Sequence, residues 1–177
     1  LGEKQEQPGS FAVAGKSWKG TKRIPLRLEM EEKLISRPGG AAALTRGPLV
    51  FSLPVRARVR KLEYTRDGVE RKAPYCDYEM LPDSAWNYAF CSADFETEFA
   101  EIGDYPFSPQ EPPIRIKTKM MPIVWEERDG ICAEAPRQPQ AAGEPEEIRL
   151  QPYGCTDLRM TEMPCVGIGV SDAASRG

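Results

Sequence analysis

Histidine is missing altogether from these 177 residues. That removes the Ser-His-Asp triad, the Cys-His dyad and every His-ligated metal site. Cysteine is sparse and odd in number, five in all, so at least one thiol stays unpaired within the chain. Long apolar runs are lacking too, since no stretch approaches the roughly 18 residues of a membrane-spanning helix. Nor is there an excess of basic charge. The 24 Lys+Arg stand against 27 Asp+Glu, a formal charge of −3, which gives no reason to expect nucleic acid as a partner. The first ten residues, LGEKQEQPGS, are polar and lack the apolar h-region of a signal peptide. The chain opens on Leu1 rather than Met and reads as an excised or processed piece. Residues 1–9 and 169–177 read as disordered tails or linkers.

What is present is alternation. In RIPLRLEM, Ile24, Leu26, Leu28 and Met30 share one face, and Arg23, Arg27 and Glu29 take the other. In VRARVR, Val55, Ala57 and Val59 alternate with Arg56, Arg58 and Arg60. In IRIKTKM, Ile114, Ile116, Thr118 and Met120 alternate with Arg115, Lys117 and Lys119. IRLQPY and LRMTEM repeat the pattern through Ile148, Leu150, Leu158 and Met160. Successive strand side chains point to opposite faces, so each segment is expected to be a strand with one dry and one wet side. GPLVFSL is apolar more continuously and reads as a strand covered on both faces. SADFETEFAEI has Phe95, Phe99 and Ile102 at helical spacing but also fits a strand and turn.

Turn signals fall at Pro38-Gly39-Gly40, Asp67-Gly68, Asp129-Gly130 and Tyr153-Gly154. Asp67-Gly68, between EYTR and VERKAPY, is a hairpin signature. The Pro-rich segment Glu134 to Glu147 reads as a mobile surface loop or linker. The expected fold is all-β, an antiparallel β-sandwich of jelly-roll-like form.

Few side chains here point to chemistry. Cys76, Cys91, Cys132, Cys155 and Cys165 form no C-x2-C pair, so no metal site is expected, and buried free thiols are the better-supported reading. Asp77 with Glu79, and Glu96 with Glu98, sit at i, i+2 and face one side of a strand. That spacing suits a glycosidase pair, but a solvated acidic face has the same pattern. The rows Arg56, Arg58, Arg60 and Arg115, Lys117, Lys119 read as solvated faces that discourage edge-to-edge pairing. The aromatic segment DYEMLPDSAWNYAF is more suggestive. Trp86, Asn87 and Tyr88, with Trp125 further on, are the carbohydrate-contact candidates, because indole and phenol faces stack on sugar rings. Core packing is the competing role, since alternation puts Trp86 and Tyr88 on one face.

Several blocks together resemble a family. WKGTKRIPLRLEM, LTRGPLVFSLPV, DYEMLPDSAWNYAF, PFSPQEPPIRIKTKMMPIVW and IRLQPYGCTDLRMTEMP are similar, in order and wording, to the C-terminal region of bacterial family-127-like glycoside hydrolases, the β-L-arabinofuranosidase type. The resemblance runs from about Ser10 to Val166. It implies a helical (α/α)6 catalytic barrel elsewhere in the parent chain, followed by two β-sandwiches, one inserted in the other. Residues 10–53 with 145–168 correspond to the first sandwich, possible strands of which lie before Ser10, and residues 54–144 to the inserted one. The family's cysteine nucleophile, its zinc and its general acid all belong to the barrel. No position here matches those motifs, so the resemblance carries over no catalytic, cofactor-binding or metal residue.

The main functional expectation is therefore a non-catalytic ancillary region that packs on the barrel and shapes an active-site rim. The alternative is a stand-alone carbohydrate-binding module using the exposed aromatics. An independent hydrolase built on Asp77/Glu79 or Glu96/Glu98 is the third and least supported. The partners implied are the barrel, a plant-type glycan and a second copy of the chain, with no nucleic acid and no membrane. The resemblance implies a bacterial cytoplasm or periplasm.

Overall fold

A computed structural model describes residues 5, 9–13, 15, 17–128 and 131–170. The expected tails at 1–9 and 169–177 lie mostly outside these residues, as does the Asp129-Gly130 turn. The described part is all-β with antiparallel sheets and no helix beyond two 3-10 turns, as the alternation predicts. In chain order the strands of the main sheet are β1 (Glu32–Ser36), β2 (Ala41–Arg46) and β3 (Leu49–Pro54). After these comes a two-stranded ribbon built from β4 (Ala57–Leu62), β5 (Tyr64–Arg66), β6 (Val69–Arg71) and β7 (Asp77–Pro82). The main sheet then resumes with β8 (Tyr88–Phe90), β9 (Glu96–Phe99) and β10 (Ile114–Pro122). A small pair, β11 (Glu127–Arg128) and β12 (Ile131–Cys132), precedes β13 (Glu146–Pro152), β14 (Arg159–Met160) and β15 (Met163–Pro164).

The main sheet runs β1-β2-β3-β13-β10-β8, with β9 beside β10, β14 beside β3 and β15 beside β2. It curls until it meets itself. Met163 and Pro164 pair with Ala42 and Ala41. The next residue, Cys165, bridges to Phe90, and the Val166 N–H donates to the Phe90 carbonyl at 2.8 Å. β15 thus joins β2 to β8 and closes a ring around one core. Phe51, Phe90, Leu44, Ile116, Met120, Ile123, Leu150 and Met163 are fully buried inside it.

β10 follows the alternation: Ile114, Ile116, Thr118 and Met120 are buried, and Lys119 is exposed. β3 follows the continuous pattern, with Phe51, Ser52 and Leu53 all buried. The wet faces of β9, β10 and β13 carry a checkerboard of charge. Lys117 meets Glu96, and Arg149 meets Glu98 at 3.1 Å and Glu147 at 3.2 Å. Lys117 and Arg149 stand directly opposite each other in the β10–β13 register. The flanking carboxylates offset a pairing that would otherwise destabilise the sheet. At the other flank, β1 and β9 are joined by side chains: Thr97 Oγ1 donates to Glu32 Oε1, and Arg46 donates to the same carboxylate at 2.9 Å while lying 5.3 Å over the Phe99 ring.

Three segments depart from expectation. RIPLRLEM is no strand. It has no sheet partner, and Ile24, Leu26 and Leu28 are 56%, 79% and 67% exposed. Alternation specifies a strand only where a neighbour accepts the backbone groups, and this segment overhangs the sheet. Glu32 pairs with Arg46, the last residue of β2, so everything before Glu32 lies beyond the β2–β3 turn. Met30 lies over Gly47. Second, only residues 57–60 of VRARVR enter a strand, β4, and that strand belongs to the ribbon, while Val55 is buried before it. Val59 opposes Met80 and Lys61 opposes Tyr78, so Val59, Tyr78 and Met80 share one face, and all three are exposed. The ribbon's tip is the Asp67-Gly68 turn. Both residues have positive φ, 53° and 76°, as a type I′ hairpin requires. Third, the Pro-rich segment is held along β10. Val124 N–H donates to the Gln140 carbonyl at 2.9 Å and Ala142 N–H to Pro122 at 2.8 Å. The main sheet draws strands from both sides of the boundary at Pro54: β8, β9 and β10 share it with β3 and β13.

Candidate functional site

The aromatic candidates do come together. β8 pairs with the end of β10, setting Tyr88 opposite Pro122 and Ala89 opposite Met121. Trp86 just precedes β8 and Trp125 just follows β10, so the pairing brings their rings to a 5.5 Å centroid separation at 63°. That edge-to-face contact suits the ring quadrupoles.

The polar handles of Trp125, Asn87 and Tyr88 are engaged by the protein itself. Trp125 is 9% exposed, and its Nε1–H donates to the Ala133 carbonyl at 2.9 Å. Asn87 clasps Ile123 twice: its Nδ2 donates to the Ile123 carbonyl at 2.7 Å, and its own carbonyl accepts from the Ile123 N–H at 2.9 Å. Tyr88 is buried, and its hydroxyl donates to Glu146 Oε2 at 3.0 Å. Burial, then the Glu146 carboxylate, pushes the Tyr88 hydroxyl above its ordinary pKa. Trp86 and Asn87 are both half-buried, and Trp86 is the half-open ring. The arrangement can offer one half-open indole; Tyr88 and Trp125 beside it serve the core.

Among the described residues, three of the four candidate carboxylates are ion-paired where they stand, and Asp77 has no cationic partner. Glu79 meets the Arg60 guanidinium across the β4–β7 ribbon, and Asp77 accepts from the Tyr64 hydroxyl, raising that phenol. Glu96 and Glu98 belong to the charge checkerboard already described. The thiols are all free. Cys76 and Cys155 are buried, Cys91 and Cys165 half-buried, and Cys132 is exposed, against the expectation of burial. Burial pushes Cys91 and Cys155 up, and Cys165 to about 11. A thiol held protonated at neutral pH is a poor nucleophile. Among the described residues, no three His, Cys, Asp or Glu side chains gather closely enough to hold a metal, and no helix is long and apolar enough to cross a membrane.

Sequence reasoning does not anticipate Glu146 beneath Tyr88 or Glu32 between β1 and β9. Both partnerships span more than 50 positions, so no local spacing signals them. No family model, curated protein or solved structure matches this chain. The functional reading therefore rests on its own residues.

Proposed function

We propose that this chain is a non-catalytic β-sandwich region of a glycoside-hydrolase-like protein, built to pack against a helical catalytic barrel of the β-L-arabinofuranosidase type. One observation carries the reading. The side chains with chemical capacity are spent on the fold's own bonds, while large apolar side chains stand in solvent on the 23–30 segment and on the ribbon. A surface of that kind is suited to packing against protein. The zinc and the thiolate nucleophile of such an enzyme would reside in the barrel.

The test has two arms. The purified chain is assayed for arabinofuranoside hydrolysis with zinc and reductant, and no turnover is expected. Turnover abolished by Glu79→Gln or Glu96→Gln would overturn the reading. The same chain is titrated calorimetrically with arabinan oligosaccharides. Saturable heat lost in a folded Trp86→Ala variant would establish the carbohydrate-binding alternative instead, because Trp86 is the half-open ring of the cluster.

A further inference from the structure

The 23–30 overhang and the outer edge of β7 are each half of a β-sheet contact. We propose that they meet between two copies of this chain, each lending its overhang to the other's ribbon. The inference does not depend on the glycoside-hydrolase reading.

The overhang supplies a backbone with no sheet partner and three exposed apolar side chains, Ile24, Leu26 and Leu28, at alternate positions that a strand would place on one face. Among the described residues β7 pairs with β4 alone, so its other edge presents unpaired N–H and C=O groups, a template for strand addition. The side-chain patterns match in parity. β7 reads Asp77, Tyr78, Glu79, Met80, with Tyr78 and Met80 exposed on the ribbon's apolar face. An antiparallel register that sets Arg27 opposite Asp77 also sets Leu26 opposite Tyr78 and Ile24 opposite Met80. It extends the apolar face of the ribbon from two strands to three. Pro25, which cannot donate a ladder hydrogen bond, falls opposite Glu79, whose carboxylate Arg60 already holds.

Charge agrees with this pairing. The overhang carries two cations, Arg23 and Arg27, against one carboxylate, Glu29, at its polar positions, and β7 is acidic through Asp77 and Glu79. Arg27 has a 3.9 Å contact with Glu29, with the two side chains 85% and 78% exposed, which leaves its guanidinium available. Pairing within one copy is disfavoured by the topology. The overhang leaves the sheet at the Gly47 end of β3 and the ribbon leaves at the Pro54 end. Six strand residues separate those ends by about 20 Å. A reciprocal exchange satisfies both halves at once and has the two-fold symmetry of most homodimers.

Sedimentation velocity of the full chain, in reductant so that exposed Cys132 cannot cross-link, decides it. A reversible dimer is expected between 5 and 100 µM, roughly the range of modest β-addition contacts. Arg27→Glu and Asp77→Arg each act twice in such a dimer, and each should weaken it about tenfold. The double variant Arg27→Glu/Asp77→Arg should restore association. Both positions are exposed, and circular dichroism checks that each variant is folded. A monomeric wild type at 100 µM overturns the proposal. So does a dimer that ignores both single substitutions, or one that the double variant fails to restore.

Discussion

At Tyr88 a phenol sits inside the ring with its oxygen aimed at Glu146, and the pair shows how a polar group survives burial here. The hydroxyl is satisfied, so its desolvation is compensated. Tyr88→Phe removes the donor and leaves the Glu146 carboxylate facing an apolar ring. We expect a loss of about 1 kcal/mol in stability, read as a lower urea midpoint with an unchanged slope. Glu32 gives a pH dependence. Burial raises its pKa, but hydrogen bonds from Thr97, its own backbone and Arg46 outweigh burial, and the net shift is downward. A carboxylate lowered in the folded state contributes stability that is full above its unfolded pKa, about 4.3, and is lost as pH falls through the folded value. Glu32→Gln should therefore cost stability at pH 7 and much less at pH 3. Urea midpoints at the two pH values, compared with wild type, check the sign. An equal cost at both would mean that the charge contributes nothing.

Among the elements, the β2–β3 hairpin is the most exacting. Gly47 has a φ of 55°, and a Cβ there would lie 2.6 Å from Met30 Sδ. Pro48 fixes the next φ at a negative value, so this is a II′-type turn with glycine at its first central position. Gly47→Ala should destabilise by about 1–2 kcal/mol through backbone strain and the displaced thioether. Met30→Ala in the same chain should return only the steric part. A double-mutant cycle on thermal midpoints separates the two, and full additivity would show that Met30 does not rest on the turn. The elements also show what the sequence discloses. β10, β3 and the Asp67-Gly68 hairpin are legible because their signals are local: period-two burial, a continuous apolar run, and two residues that tolerate positive φ. RIPLRLEM carries the same alternation as β10 and forms no ladder, since pairing depends on a neighbour that no local pattern names. The candidate site divides in the same way. The segment holding Trp86, Asn87 and Tyr88 could be picked out by composition. Its conversion into core required Trp125, Ile123 and Glu146, which arrive through the β8–β10 and β10–β13 pairings.

For the molecule as a whole, stability depends on the closed ring. Met163 is fully buried on the strand that joins β2 to β8. Met163→Ala should cost about 2–5 kcal/mol, a large share of the 5–15 kcal/mol typical of a domain. The expected result is a single cooperative transition at lower temperature by calorimetry. A local loss of order near residue 163 with the main transition unmoved would show that the closing strand is peripheral.

The closing strand also bears on how the chain acquires its structure. Ala42 and Met163 are partners across 121 positions of sequence, and Phe90 and Cys165 across 75. Contacts of such separation slow folding, because the loop entropy is lost before the pairing repays it. Once β13 has joined β3 to β10 and β8, the seam between β2 and β8 stays open until residues 163–166 have left the ribosome. For that interval Ala41 and Ala42 of β2 and Phe90 of β8 lack their partner, and chaperone capture or premature self-association would be concentrated there.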